Sequence, residues 1–165
     1  LIVYVPKFSY IQARIFSFFN REVGTHNFQS DKAIESIISG GFFGKGIGEG
    51  GLKNRVPEAH TDYIISVISE EFGVVAIMLI LLLFLILIYM VFKKISFEKN
   101  DKAKLILIGS ISLILMQATI HIGVNIRLFP TTGMTLPFLS YGGSSIISTS
   151  ILAGIILNLT KRKII

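Results

Sequence analysis

The chain has no cysteine and no tryptophan, and only four prolines and three histidines in 165 residues. Without cysteine there is no disulfide, no thiol nucleophile and no cysteine metal site. The histidines (His26, His60 and His121) are scattered and no H-E-x-x-H occurs, which argues against a zinc centre. No G-x-S-x-G elbow is present, and residues two apart on a helix, such as His60 and Asp62, point away from each other. A serine hydrolase is therefore not expected. Acids are scarce in the second half: residues 74–165 carry two acidic and nine basic side chains, whereas residues 1–73 carry eight acidic and seven basic. The basic surplus sits in two short patches between apolar runs. A nucleic-acid binder would show a basic face mixed with aromatics, so nucleic acid is not an expected partner.

Apolar residues, by contrast, make up 52% of the chain. Val74–Phe92, VVAIMLILLLFLILIYMVF, has no charge at all. At ~1.5 Å per residue it reaches roughly 28 Å, close to the hydrocarbon thickness of a bilayer. Leu105–Ile126 is a second run, uncharged but carrying Ser110, Ser112, Gln117, Thr119, His121 and Asn125. Polar groups in a span face other helices or a wet cavity. Gly142–Leu159 is a third, rich in small residues that suit close helix packing. One such run alone could be a buried helix of a soluble protein; three in succession read as membrane spans.

The connector KKISFEKNDKAK (93–104) and the end of the chain (160–165) are basic and separated by two spans, so they share one side. The positive-inside rule makes that side cytoplasmic. Residues 6–73 and 127–141 are then external. LIVYV (1–5) reads as the end of another span, and the chain lacks an initial Met, so a C-terminal portion of a longer polytopic protein is expected. No basic start, long apolar core and small-residue cleavage site mark a signal peptide. The expected fold is all-α: a polytopic helical membrane protein with three complete transmembrane helices (74–92, 105–126, 142–159) and a large extracytoplasmic loop bearing short amphipathic helices.

In that loop, Tyr10–Asn20 has a helical apolar stripe suited to a membrane surface, and 31–41 reads as a short amphipathic helix stopped by Gly40 and Gly41. GGFFGKGIGEGG (40–51) matches a dinucleotide fingerprint by letter, but no buried strand precedes it and no amphipathic helix opens from it. Its glycines are read as permitting tight turns and close backbone approach around an external cavity.

The densest acidic cluster lies in RVPEAHTDYIISVISEEFG (55–73), at the threshold of the first span. Pro57 and Glu58 suit the first turn of a helix. Positions 62, 66, 69, 70 and 73 then form one polar face descending toward the membrane. Asp62 and Glu70 would stand roughly 12 Å apart along it, too far to act as a retaining-glycosidase pair. Glu58 and Asp62 are one turn apart, and their repulsion favours either keeping one of them protonated or recruiting a cation. The alternative is a solvated acidic helix start. The stretch RLFPTTGMTLPFLSYGGSS (127–145) is broken by Pro130 and Pro137, with Gly133 allowing a turn between them. Backbone N–H groups at Gly142–Ser145 could receive an anion such as a phosphate; the alternative is a structural connection between spans.

PEAHTDYIISVISEEFG (57–73) with FPTTGMTLPFLSYGGSS (129–145) resembles the SEDS (FtsW/RodA/SpoVE) family of polytopic bacterial proteins that polymerise peptidoglycan glycan strands. SGGFFGKGIGEG (39–50) is similar to that family's glycine-rich stretch, and E-A-H-T-D with T-G-M-T-L-P-F looks more like its division branch than its elongation branch. The likeness covers essentially the whole chain.

The resemblance implies a glycosyltransferase in the bacterial inner membrane that polymerises lipid II, an undecaprenyl-pyrophosphate disaccharide-pentapeptide, during division. It makes Asp62 the catalytic residue, expected to act as general base, with an extracytoplasmic catalytic loop. A divalent cation (Mg or Mn) at Asp62, a class B penicillin-binding transpeptidase and other division proteins are the implied partners; no organic cofactor is expected. Candidate substrate-binding residues are Lys53, Arg55, Glu58, His60, Thr61, Thr131, Ser140, Tyr141, Ser144 and Ser145. Two other classes are weighed beside this one. A lipid II flippase would use Gln117, His121 and Asn125, and a non-catalytic division scaffold would not need Asp62. The chain departs from the family at Thr132, where division members often have Lys, at Asn54, where some have an acid, and at Arg127, where a small residue is common.

Overall fold

The computed structural model describes residues 25–56 and 59–161, and within these it is helical, with no strand. The expected span end at 1–5, the stripe at Tyr10–Asn20, and Pro57 and Glu58 lie outside the described residues. Five helices follow in order: α1 (Thr25–Gly40), α2 (Leu52–Arg55), α3 (Ile64–Phe97), α4 (Asp101–Asn125) and α5 (Gly143–Thr160). The last three are long and apolar enough to cross a membrane, and each contains one of the apolar runs but for Ile126 after α4 and Gly142 before α5. The all-α, multi-pass membrane fold is the observed one.

The first connection is tighter than its charge pattern suggests. Helix α3 continues through Lys93 to Phe97, and α4 begins at Asp101. Lys94 pairs with Glu98 one turn on, at 3.1 Å. The Asn100 side chain caps α4 by accepting from Lys102 N at 3.1 Å, with Asp101 in the favourable first turn. Only residues 98–100 of the basic connector are non-helical.

Three buried clusters hold the helices. Val91, Leu107, Ile111, Ile114 and Ile156 join α3, α4 and α5. Ile65, Ala118 and Leu136 join the start of α3 to α4 and the proline-containing stretch. Ala33, Leu52, Val56, Ala59, Tyr63, Val67 and Val124 bind α1, α2 and the turn before α3 to the end of α4. Much of the remaining apolar surface is bare, as at Leu79, Leu82 and Leu83 on α3. In hydrocarbon such a face carries no hydrophobic penalty, and helix contact rests on packing and interhelical hydrogen bonds.

Helix α3 is broken at Gly73, whose φ of 78° and ψ of −177° are not helical. That region is open essentially to glycine alone. The break leaves backbone groups on both sides without their i→i−4 partners, and near a bilayer these need replacements. The glycine-rich stretch supplies them. Lys45 N donates to Glu70 O at 2.9 Å and Gly46 N to Glu71 O at 3.1 Å, while Val74 N donates to Gly41 O at 3.0 Å and Val75 N to Phe42 O at 3.4 Å. The fit is close: a Cβ on Gly40 would collide with Ser69 O, one on Gly44 with Glu71 O, and one on Gly73 with Phe42 O. Close backbone approach was expected here. What the glycines approach is a helix rather than a cavity.

Candidate functional site

Asp62 does not lie on a helix. Residues 59–63 form turns, and α3 starts at Ile64. The expected helix running through Asp62 is therefore corrected, and so is its wet polar face. Ser66, Ser69 and Glu70 are buried, at 0%, 1% and 4% exposure. Glu70 is occupied structurally, with its carboxylate accepting from Lys45 Nζ and from Leu52 N, both at 2.9 Å. It anchors the glycine-rich stretch and α2 rather than marking a membrane interface.

The turn at 60–62 is held by its carbonyls, each by a different donor. His60 O accepts from Tyr141 N at 3.1 Å. Thr61 O accepts from Ser140 Oγ at 2.8 Å and from His121 Nε2 at 3.3 Å. Asp62 O accepts from Asn125 Nδ2 at 2.9 Å. Because a carbonyl can only accept, His121 carries its proton on Nε2 in this arrangement, and Nδ1 faces the Asn125 amide at 3.4 Å. Ser140 Oγ also accepts from Leu136 N at 2.7 Å, so it ties the proline-containing stretch to the turn. Below the turn, the buried Tyr63 hydroxyl lies 3.4 Å from Ser30 Oγ on α1.

The Asp62 carboxylate is half-buried beside Gly133. A Cβ built on that glycine would stand 3.7 Å from Asp62 Oδ2, and φ at Gly133 is +69°. Gly133 in turn lines a cleft of about 380 Å³ with Gln117, Met134, Thr135, Gly142, Ser144, Ser145 and Ser148. No acid or base is among these residues. Gln117 Nε2 donates to Thr135 O at 2.9 Å and lies 3.2 Å from both Thr135 Oγ1 and Ser145 Oγ. Thr135 Oγ1 donates to Ser145 Oγ at 2.6 Å. The arrangement is one carboxylate next to Gly133, a wall residue of an uncharged cleft of hydroxyls and an amide.

The chain reaches this cleft from α4 by a sharp turn. Arg127 has φ of 59°, and Leu128 N and Phe129 N both donate to Gly123 O. The Phe129 ring covers Gly123, where any Cβ would collide with it. Arg127 forms an ion pair with Asp31 of α1, which gives the unusual arginine a partner.

A family model described as cell cycle protein, FtsW/RodA/SpoVE, matches residues 1–164. The chain belongs to the FtsW/RodA/SpoVE family. The probable peptidoglycan glycosyltransferase FtsW of Enterococcus hirae is 41% identical over 138 residues, covering 83% of this chain and 35% of that relative. The protein of the same description from Caulobacter vibrioides is 38% identical over 158 residues, covering 94% of this chain and 40% of the relative. Stage V sporulation protein E of Bacillus subtilis is 38% identical over 135 residues, covering 81% and 37%. One chain in a solved structure concerned with structural coordination of polymerization and crosslinking by a peptidoglycan synthase complex superposes with a TM-score of 0.70 at 28% identity. It covers 95% of this chain and 42% of that one. The chain thus spans roughly two fifths of the length of these relatives.

Within this FtsW/RodA/SpoVE chain, the structure brings together some candidate residues and separates others. His60, Thr61, Asp62, Ser140 and Tyr141 meet at the turn, and Ser144 and Ser145 line the adjoining cleft. Thr131 is half-buried at the start of the same stretch. Arg55 is exposed at the end of α2 beside Gly51 and is not part of the cleft wall. Glu58 and the side chain of Lys53 lie outside the described residues. Among the described residues no three His, Asp or Glu side chains gather to hold a metal. Gly133 was expected only to allow a turn, which its φ of +69° bears out, and Thr135 was not singled out from the sequence. Their signal was the turn chemistry between the two prolines, where a positive φ requires glycine.

Proposed function

We propose that the protein is a peptidoglycan glycosyltransferase that polymerises lipid II at the outer face of the cytoplasmic membrane, with Asp62 as general base. The observation that carries this reading is the Asp62 carboxylate next to Gly133 in the wall of the uncharged polar cleft, with the backbone of its turn tied on several sides. The names of the relatives support the substrate class. Asp62 takes the proton of the acceptor sugar hydroxyl as that oxygen attacks the donor's anomeric carbon. The bond from that carbon to the lipid pyrophosphate breaks, and the pyrophosphate leaves with the electron pair. Positioned acid–base catalysis contributes ~10²–10⁴-fold.

The cleft's hydroxyls and Gln117 suit sugar hydroxyls and acetamido groups. Basic side chains, with Arg55 and Lys53 the candidates, or a divalent cation serve the pyrophosphate. A single carboxylate fits a Mg-type ion that keeps water and shares the substrate's phosphates, rather than one caged by protein ligands. Asp62 would hold it, and it would supply charge neutralisation to the leaving group. An apolar groove of about 190 Å³ between Ile80, Leu83, Phe84 and Leu87 of α3 and residues 137–139 suits a prenyl chain. A transpeptidase partner is proposed by likeness to the synthase complex, and the basic patches favour cytoplasmic placement of residues 98–100.

Of the polar residues a flippase would use, His121 and Asn125 are fully buried and bonded to the 61–62 backbone, which weighs against a path through them. The test is polymerisation of purified lipid II by the full-length protein with a divalent cation and a transpeptidase partner. Asp62→Ala, folded by thermal melt, should make no glycan. Equal polymer from both proteins would overturn the general-base assignment, and translocation without polymer from either would favour the flippase.

A further inference from the structure

In a regular helix, Ser66 N would donate to the carbonyl four residues back, that of Asp62. Here it does not. The Asn125 carboxamide stands between them: its Oδ1 accepts from Ser66 N at 3.2 Å, and its Nδ2 donates to Asp62 O at 2.9 Å. The same Oδ1 accepts from Ser66 Oγ at 2.7 Å, and Nδ2 also donates to His121 O at 2.9 Å. Asn125 and Ser66 are both 0% exposed, so no water competes for these bonds. A side-chain amide has the donor and acceptor of a peptide group. This one is spliced into the position where α3 would otherwise close one more turn.

The residues before that point do not themselves resist helix. The stretch from Asp62 carries a helical polar stripe, which is why a helix through Asp62 is expected from sequence. Removing the splice lets Ser66 N reach Asp62 O directly. The added turn would pull the 60–62 carbonyls from Tyr141 N, Ser140 Oγ and His121, and swing the carboxylate away from Gly133. We infer that Asn125 is a positioning residue: it blocks extension of α3 through Asp62 and so holds the base against the cleft. This rests on the general-base reading of Asp62.

The test compares wild type, Asp62→Ala, Asn125→Leu and Asn125→Asp in the full-length protein, each checked for a cooperative melt. Asn125→Leu removes both bonds, whereas Asn125→Asp keeps an acceptor for Ser66 N and loses the donor to Asp62 O. The expected result is kcat lower by about 100-fold in Asn125→Leu, the scale of a 1 Å misplacement of a catalytic group. KM for lipid II should stay within about twofold, because the cleft's own residues are untouched. The Ser66 backbone amide should stay protected from exchange in Asn125→Leu, because Asp62 O replaces Asn125 Oδ1 as its acceptor; fast exchange there would show that no helical bond forms. Full activity in folded Asn125→Leu beside a dead Asp62→Ala would overturn the inference. So would a rise in KM with kcat unchanged, or an activity loss that follows only the folded fraction across both Asn125 variants. Polymer from Asp62→Ala would instead overturn the general-base reading, leaving amide exchange to decide whether Asn125 sets the helix start.

Discussion

Two irregular stretches flank the spans, and they are held in opposite ways. Residues 41–46 are fastened by their own backbone to the break in α3, with glycines wherever a Cβ would strike helix backbone. Residues 127–141 are fastened largely through side chains, with Ser140, Thr135 and Gln117 making the ties, and they leave a cleft open. A backbone-to-backbone seam excludes ligand and tolerates little change. A stretch held at a few side-chain points can be rigid where Asp62 needs it and open beside it. The difference separates a part of the chain that maintains the helix break from a part that borders an open cleft.

Substitution should expose that difference. Gly73→Ala should act most strongly on folding. It places a Cβ against Phe42 O and forces a residue into glycine-only backbone space, together costing about 2–5 kcal/mol. Yield of monodisperse protein and the melting temperature should both collapse; an unchanged melt would show that the seam can yield. Next, Ser140→Ala should divide its effect. Loss of the hydroxyl leaves Thr61 O and Leu136 N short of a partner, about 1–3 kcal/mol, and polymerisation should fall about tenfold more than the folded fraction does. Activity tracking folded fraction alone would make Ser140 purely structural. Lys45→Met should cost about 1–2 kcal/mol, less than a fully buried pair because Lys45 is 41% exposed while Glu70 is 5%. Adding Glu70→Gln should recover part of the loss in thermal melts, and no recovery would mean the ion pair is not what holds the glycine-rich stretch. Ser148→Ala, on the cleft wall with its hydroxyl donating to Ser144 O at 2.9 Å, should leave folding intact and raise KM for lipid II about threefold or less. A large kcat effect there would move the reacting centre deeper into the cleft than Asp62 implies.

The spans were legible because uncharged runs of bilayer length have few other uses, and the runs fall inside α3, α4 and α5 but for Ile126 and Gly142. The glycine-rich stretch was half legible. Its composition announced close approach, but the partner was the distant Gly73, whose broken helix has no local signature beyond a single glycine. Asp62 was found through the motif that carries it. Its setting was not, because Asn125 lies in an apolar run 63 residues away and overrides a local helical pattern by long-range hydrogen bonds. For the same reason Glu70 read only as part of a polar face: burial of its carboxylate is decided by Lys45 and Leu52, which spacing alone does not bring near.

The ties at Asp62 also set an order of assembly. Thr61 is bonded to residues 60 and 79 positions further along, and Asp62 to one 63 further along. A nascent chain that has placed only α3 therefore lacks these long-range ties, although the turn already rests on α1 through Ala59 and Tyr63. Those long-range ties come in two steps, the first when α4 packs and the last when residues 140 and 141 emerge. Up to that moment Asp62 lacks the setting it has in the finished fold, so a chain arrested before Ser140 holds the turn only partly tied.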